Sequence, residues 1–172
     1  VSAGQWVAVV VGAGDADRAI PVPVWTKWIS ALLSQESPSS VVLVGSERDQ
    51  SAALAIQDGL SPMVAGRLWD ATGRTTLPQL APLLKRCHWV VGAYTGPLHL
   101  AAVAGTRVMG FYFSRARVHE TGPYGRGHWI WQANHALPET WPIQASVNLL
   151  GEPAAAAQQE PPAGWSLWQS HH

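Results

Sequence analysis

An alternation of short apolar runs with one-faced helical segments predicts an α/β domain, its mostly parallel sheet covered by helices on both faces. Three observations carry that expectation. The run WVAVVVG (residues 6–12) is apolar up to its closing glycine, the pattern of a strand buried on both sides. VVLVG (41–45), HWVVGA (88–93) and RVMGFYF (107–113) repeat the same character. Helical patterning separates these runs, which calls for parallel strands joined by right-handed crossovers.

The elements follow in chain order. In VWTKWISALL, Trp25, Trp28, Ile29, Leu32 and Leu33 stand at i, i+3, i+4, i+7 and i+8, one face of a helix. The two large rings on that face are assigned to core packing. SPSS punctuates the chain, and after the second strand SAALAIQDG predicts a small helix stopped by Gly59. RLWDATG holds a short strand. TTLPQLAPLLKRC places Leu77, Leu80, Leu84 and Cys87 in helical spacing. Pro82 within it removes a hydrogen bond and clashes one turn back, so a kink or a delayed start is expected. PLHLAAVAG reads as a helix closed by Gly105, and WPIQASVNLL as a last helix with Ile143, Val147 and Leu150 on one side. From Gly151 onward the low-complexity GEPAAAAQQEPPAG predicts a flexible or surface-laid tail. The division is therefore a Rossmann-like, three-layer domain over residues 1–150 and a tail over 151–172.

Composition narrows the function. A chain of 172 residues suits one domain with a real core. No apolar stretch approaches the roughly eighteen residues of a membrane span, so a soluble protein is expected. The formal net charge of zero argues against a nucleic-acid footprint. Cys87 is the single cysteine, which excludes an internal disulfide and a Cys-based zinc cluster and fits a reducing compartment. His88, His119, His128 and His135 lack metal-ligand spacing, and no metal is expected. The chain starts at Val1 without an initiator Met or signal peptide and is read as a fragment or processed form.

In open parallel sheets ligands bind beyond the carboxyl ends of the strands, so the loops at 12–18, 45–49, 70–76, 92–97 and 113–125 hold the candidates. In YTGPLHLAAVAG (94–105), Pro97 suits the first turn of a helix, where its missing N–H would be unpaired anyway. Thr95 or Gly96 then caps, and the amides there point outward with the positive end of the helix dipole, an anion site commonly filled by phosphate. Gly96 admits a ligand close to the backbone. His99, in the first turn, is within reach of a phosphate oxygen. The same residues also serve as ordinary helix-start grammar, with His99 a buried imidazole. VGAGDAD has Gly12 and Gly14, but Asp17 stands where a third glycine belongs, so a nicotinamide dinucleotide is disfavoured. Arg18 either reaches a diphosphate or is a solvated charge. Asp49 either accepts from a ribose or caps the following helix. Neither a GxSxG elbow nor a P-loop is present.

Four blocks, spanning roughly residues 6–150, resemble glycosyltransferase family 9, the heptosyltransferases of lipopolysaccharide core synthesis, in its C-terminal half. VVLVGSERD is similar to the family's strand and glycine–acid loop, and DATGRTTLPQLAPLLKRCHWVVG to its G-(K/R)-T-S-L helix and strand. YTGPLHLAAVAGTRVMGFYF resembles the signature D-(T/S)-G-P-(M/L)-H-L-A-A-A-L-G, and TGPYG (121–125) the turn after the next strand. RAIP (18–21) is a weaker echo of a Lys-x-Trp-Pro element. The resemblance implies the C-terminal, donor-binding half of a GT-B fold in a cytoplasmic bacterial enzyme with at most peripheral membrane contact. The donor is a nucleotide-sugar, typically ADP-heptose, and no other cofactor is implied. The acceptor is a growing lipopolysaccharide core, held by an N-terminal domain that also supplies the general base. By resemblance Thr95, Gly96 and His99 fall to the donor phosphates and Arg18 to the diphosphate. Asp49 falls to the adenosine ribose, and Thr75 to the adenine. This half alone is expected not to turn over, and no catalytic residue is assigned to it.

Three departures bear on that expectation. Tyr94 and Ala93 stand where the family has Asp and Asn, and Arg18 stands for Lys. Phe113 replaces a glycine and is expected to crowd the cleft. Two other functions compete: a non-catalytic nucleotide-sugar binding or scaffold module, motivated by Tyr94 and Phe113, and one half of a sugar-nucleotide epimerase.

Overall fold

The computed structural model describes residues 5–13, 19–35, 40–114, 116, 122, 125–134 and 138–171. The first half of the chain lays down β1 (Trp6–Val10), α1 (Val22–Leu33), β2 (Ser40–Val44), a 3-10 turn (Glu47–Asp49), α2 (Gln50–Gly59), α3 (Pro62–Ala65) and β3 (Leu68–Asp70). Then come α4 (Leu77–Lys85), β4 (Trp89–Ala93), α5 (Gly96–Val103), β5 (Arg107–Tyr112), β6 (Arg126–Ala133), α6 (Ile143–Gly151), α7 (Pro153–Ala156) and β7 (Trp165–His171). The strands form one seven-stranded sheet in the order β3-β2-β1-β4-β5-β6-β7. All neighbours pair in parallel except β6 with β7. The Rossmann-like three-layer domain is thus the observed fold.

Strand alternation divides the core between two faces. Val7, Val9, Leu43, Trp89, Val91, Met109 and Phe111 point to the face covered by α1, α2 and α6. Ala8, Val10, Val42, Val44, Val90 and Val108 point to the face covered by α4 and α5. The five apolar residues expected on one side of α1 are all buried there, with Trp25 edge-to-face on Trp28 at 5.8 Å and on Phe111 at 6.3 Å. The Trp28 indole N–H donates to Ser146 Oγ at 2.9 Å, tying α1 to α6 through a buried hydrogen bond. Gly59 ends α2 as expected, and it also lets α1 come close: a Cβ there would stand 2.9 Å from Thr26 Cγ2.

Two expectations need correction. The delayed start at Pro82 is not seen: α4 begins at Leu77 and continues past Pro82 to Lys85. Pro78 and Pro82 are both exposed, so the carbonyl that loses its donor lies on the solvent side, where water substitutes for the missing N–H. The expected tail is not one. After α7 the chain returns as β7 and pairs antiparallel along β6 from Trp165 opposite Ala133 to His171 opposite Arg126. Trp165 is buried, packs against Trp141 at 5.3 Å and Phe111 at 6.3 Å, and donates its indole N–H to the Thr140 carbonyl at 2.8 Å. The low-complexity segment serves as the crossing that returns the chain to the sheet edge. No helix among the described residues is long and apolar enough to cross a membrane.

Cys87 is buried, its thiol facing the Leu83 carbonyl at 3.5 Å, and burial pushes its pKa up to about 11 from 9.0. At pH 8 alkylation by iodoacetamide should therefore run roughly 100-fold slower in the folded chain than in urea, since the thiolate is the nucleophile. Because the folded thiol resists ionisation, this group's contribution to stability is lost as the pH climbs from about 9 through 11. A Trp165→Ala change should cost about 3–5 kcal/mol in urea unfolding, as for a buried ring. A tail residue would shift stability by only about 0.5 kcal/mol.

Candidate functional site

A cleft of about 360 Å3 opens at the carboxyl edge of the sheet, where the strand order reverses between β1 and β4. Four loops build it: Gly12 and Ala13 after β1, Gly45 to Asp49 after β2, Thr75 and Thr76 after β3, and Thr95 to Pro97 after β4. The chain's right-handed crossovers send α1 and α5 to opposite faces, so the loops leaving β1 and β4 part and leave the gap.

The β4–α5 junction supplies the floor. Thr95 is extended, Gly96 opens α5, and Pro97 occupies its first turn. Thr95 Oγ1 is fully buried and has no hydrogen-bond partner among the described residues. Leaving such a hydroxyl idle costs about 1–3 kcal/mol unless something arrives to bond it. A Cβ on Gly96 would meet nothing within 4 Å, so the space before the helix amides is open.

On the β2 side the Asp49 carboxylate is wedged between two glycines. A Cβ on Gly45 would lie 2.6 Å from Asp49 Oδ2, and one on Gly12 would overlap Oδ1. Oδ2 accepts from the Ser46 amide at 2.9 Å and the Ser46 hydroxyl at 3.2 Å, closing the 3-10 turn. Oδ1 has no partner among the described residues and stays available to accept. The capping role and an open acceptor thus coexist in one side chain. Beneath it, Thr72 donates both its amide (2.9 Å) and its hydroxyl (2.5 Å) to Asp70 Oδ1, and Gln50 Nε2 donates to the Thr72 carbonyl at 3.2 Å. Those bonds hold the β3 loop, which carries Thr75, against the 3-10 turn.

A family model described as glycosyltransferase family 9 (heptosyltransferase) matches residues 6–140. The chain belongs to glycosyltransferase family 9. No curated protein matches it. Among solved structures, the E. coli ADP-heptose lipopolysaccharide heptosyltransferase II superposes with a TM-score of 0.75 at 20% identity, covering 88% of this chain and 46% of that one. An E. coli heptosyltransferase with ADP gives 0.73 at 18% identity, over 88% and 45%. A family 9 glycosyltransferase from Veillonella parvula gives 0.66 at 16%, over 90% and 45%. This family 9 chain therefore spans less than half the length of these three structures, and likeness at such identities shows the fold.

Of the residues expected to form the family site, Asp49, Thr75, Thr95 and Gly96 line one cleft. Arg18 lies outside the described residues. His99 does not line the cleft. Its ring, half-buried, sits edge-on to Tyr94 at 5.3 Å, and burial holds its imidazole below the usual value of 6.5, so it is uncharged at neutral pH. Tyr94, in place of the family's Asp, packs in turn edge-to-face with Tyr112 at 5.5 Å. Burial, and then Tyr94, push the Tyr112 phenol up. Phe113 does not crowd the cleft as expected: its ring turns to the α1 face and packs on Trp141 at 5.1 Å. Arg48, missed in the sequence, lines the cleft beside Asp49. Its position in the loop after β2 is the signal in the sequence that marks it.

Gly12→Ala should destabilise the chain by about 1–3 kcal/mol, because the new methyl displaces the Asp49 carboxylate. A double-mutant cycle checks the cause: in an Asp49→Ala background the same glycine change should cost far less. Equal costs in both backgrounds would show that the glycine answers to something other than Asp49.

Proposed function

We propose that this chain is the donor-binding part of a glycosyltransferase whose cleft takes a nucleoside diphosphate-sugar, with ADP as the nucleotide and a heptose as the sugar. The idle, buried Thr95 hydroxyl at the open start of α5 carries the reading. A diphosphate oxygen would accept from it and from the α5 amides while the helix dipole offsets the negative charge. Asp49 Oδ1 would accept from a ribose hydroxyl, with Thr75 and Arg48 beside the base. The cleft's size falls within the roughly 300–1,000 Å3 range of small-molecule sites. Two of the solved relatives, one an ADP-heptose enzyme and one holding ADP, support adenine as the base.

In the reaction an acceptor hydroxyl attacks the anomeric carbon, the bond from that carbon to the diphosphate oxygen breaks, and the nucleoside diphosphate leaves with the electron pair. The hydroxyl proton passes to a base. By resemblance that base and the acceptor site, for a lipopolysaccharide-type sugar, belong to an N-terminal domain, so the residues described here bind and stabilise the leaving group. Fixed positive dipoles aimed at a leaving diphosphate are the main electrostatic demand of the step. The proposed setting is the cytoplasm of a bacterium. One observation favours a second reading, a binding module without turnover: Tyr94 puts a phenol, committed to His99 and Tyr112, where the family has a carboxylate.

Isothermal titration separates the outcomes. ADP should bind in preference to UDP, and Thr95→Val should weaken ADP roughly tenfold or more, the loss expected for a hydrogen bond to a charged group. Absence of ADP binding, or binding that ignores Thr95→Val, would remove the donor-site reading. A preference for UDP would point to the epimerase alternative. ADP-heptose binding without transfer, once an acceptor domain is supplied, would select the binding module.

A further inference from the structure

At the opposite edge of the sheet, where the parallel strands begin, lies a second hollow of about 310 Å3. Gln5, His88, Trp89, Arg107, Leu150 and Pro153 line it. Arg107 opens β5, and its guanidinium carbon stands 4.1 Å above the centre of the Trp89 ring, which presents the planar cation in one orientation. Arg107 forms no ion pair with any described residue. No carboxylate lines the hollow among the described residues. Glu152, next in the chain to Pro153, is exposed and forms no ion pair with Arg107.

The backbone also gives way here. The β5–β6 ladder runs from Met109 opposite Trp129 to Tyr112 opposite Gln132, and on the other side of β6 its register with β7 shifts between Arg126 and Trp129. Beside that shift the Val108 amide donates to the His128 imidazole Nδ1 at 3.0 Å. Gly127, at φ +80°, passes against Arg107, where a Cβ would come within 3.8 Å of Nε. Strand irregularities of this kind concentrate where a sheet is opened to aim a side chain. Arg107 is exposed at the rim of the hollow, and the partial burial of its guanidinium lowers its pKa from the ordinary value.

We propose that this hollow is a second ligand site, in which Arg107, laid over the Trp89 ring, grips the oxyanion head of a small molecule, a phosphate or a carboxylate. A guanidinium fork matches either head bidentately. The site lies at the edge of the sheet away from the cleft and does not depend on what the cleft binds.

The test follows the Trp89 indole N–H signal of the nitrogen-15-labelled chain, assigned with Trp89→Phe, during titration with inorganic phosphate and with acetate at constant ionic strength. Saturable movement with either probe is expected, and the probe that moves the signal identifies the head group. Arg107→Gln should weaken that response about tenfold or more. Arg107→Lys, which keeps a charge over the ring but loses the fork, should retain a weaker one. A signal unmoved by both probes, moved equally by chloride, or moved alike in the folded Arg107→Gln chain would overturn the proposal. If Arg107→Gln unfolds, the same comparison between wild type and Arg107→Lys decides it, equal affinities counting against the site.

Discussion

The parallel pairing of β1 with β4 is the constraint on which the molecule turns. These two strands lie side by side at the centre of the sheet, from Val7 opposite Trp89 to Val10 opposite Gly92, and are buried on both faces. One continues outward to β2 and the other to β5, so with crossovers of a single hand their helices must lie on opposite faces. A crevice between the two departing loops follows without any residue being chosen for it. What the residues decide is what the crevice can hold.

Small residues tune that crevice. Gly12 and Gly45 let the Asp49 carboxylate sink between two loops, where Ser46 satisfies one oxygen and the other stays exposed to the cleft. Gly92 in β4 leaves room for Val10 and Leu98, so α5 lies low against the sheet. The start of α5 is thereby set at the floor of the cleft, with the Thr95 hydroxyl sealed from water. An orphaned buried donor is a stored cost, and a ligand with acceptor oxygens is the simplest way to remove it.

The aromatic residues divide by role. Trp25, Trp28, Phe111, Phe113, Trp141 and Trp165 form one edge-to-face assembly on the α1 face, reaching from the first helix to the last strand. On the other face Tyr94, His99 and Tyr112 form a smaller group beside the cleft. Membership in family 9 makes that second group the point of interest. A carboxylate would repel a diphosphate and accept from sugar hydroxyls, whereas a phenol packed between two rings does neither in the same way. His99, neutral and held by Tyr94, has one ring N–H to offer and no charge.

Much of the fold was legible in the sequence because it was written locally. Helical periodicity around Trp25 to Leu33 and the apolar runs of β1, β2, β4 and β5 each name their element within a dozen residues, and Thr-Gly-Pro marks the start of α5 in three. Long-range contacts decided the rest. Nothing near Trp165 tells it from a tail residue, since its burial depends on Phe111 and Trp141, far back in the chain. The signals for β6 are split by its irregular start. Asp49, Thr95 and Gly96 were identifiable from their places in the loops past strand ends, and Thr75 only through the family resemblance. That they meet, that Arg48 joins them, and that His99 and Phe113 turn elsewhere are consequences of strand order and face. Sequence spacing fixes the local conformation of a side chain's backbone, but which neighbours it meets is set only when the sheet assembles.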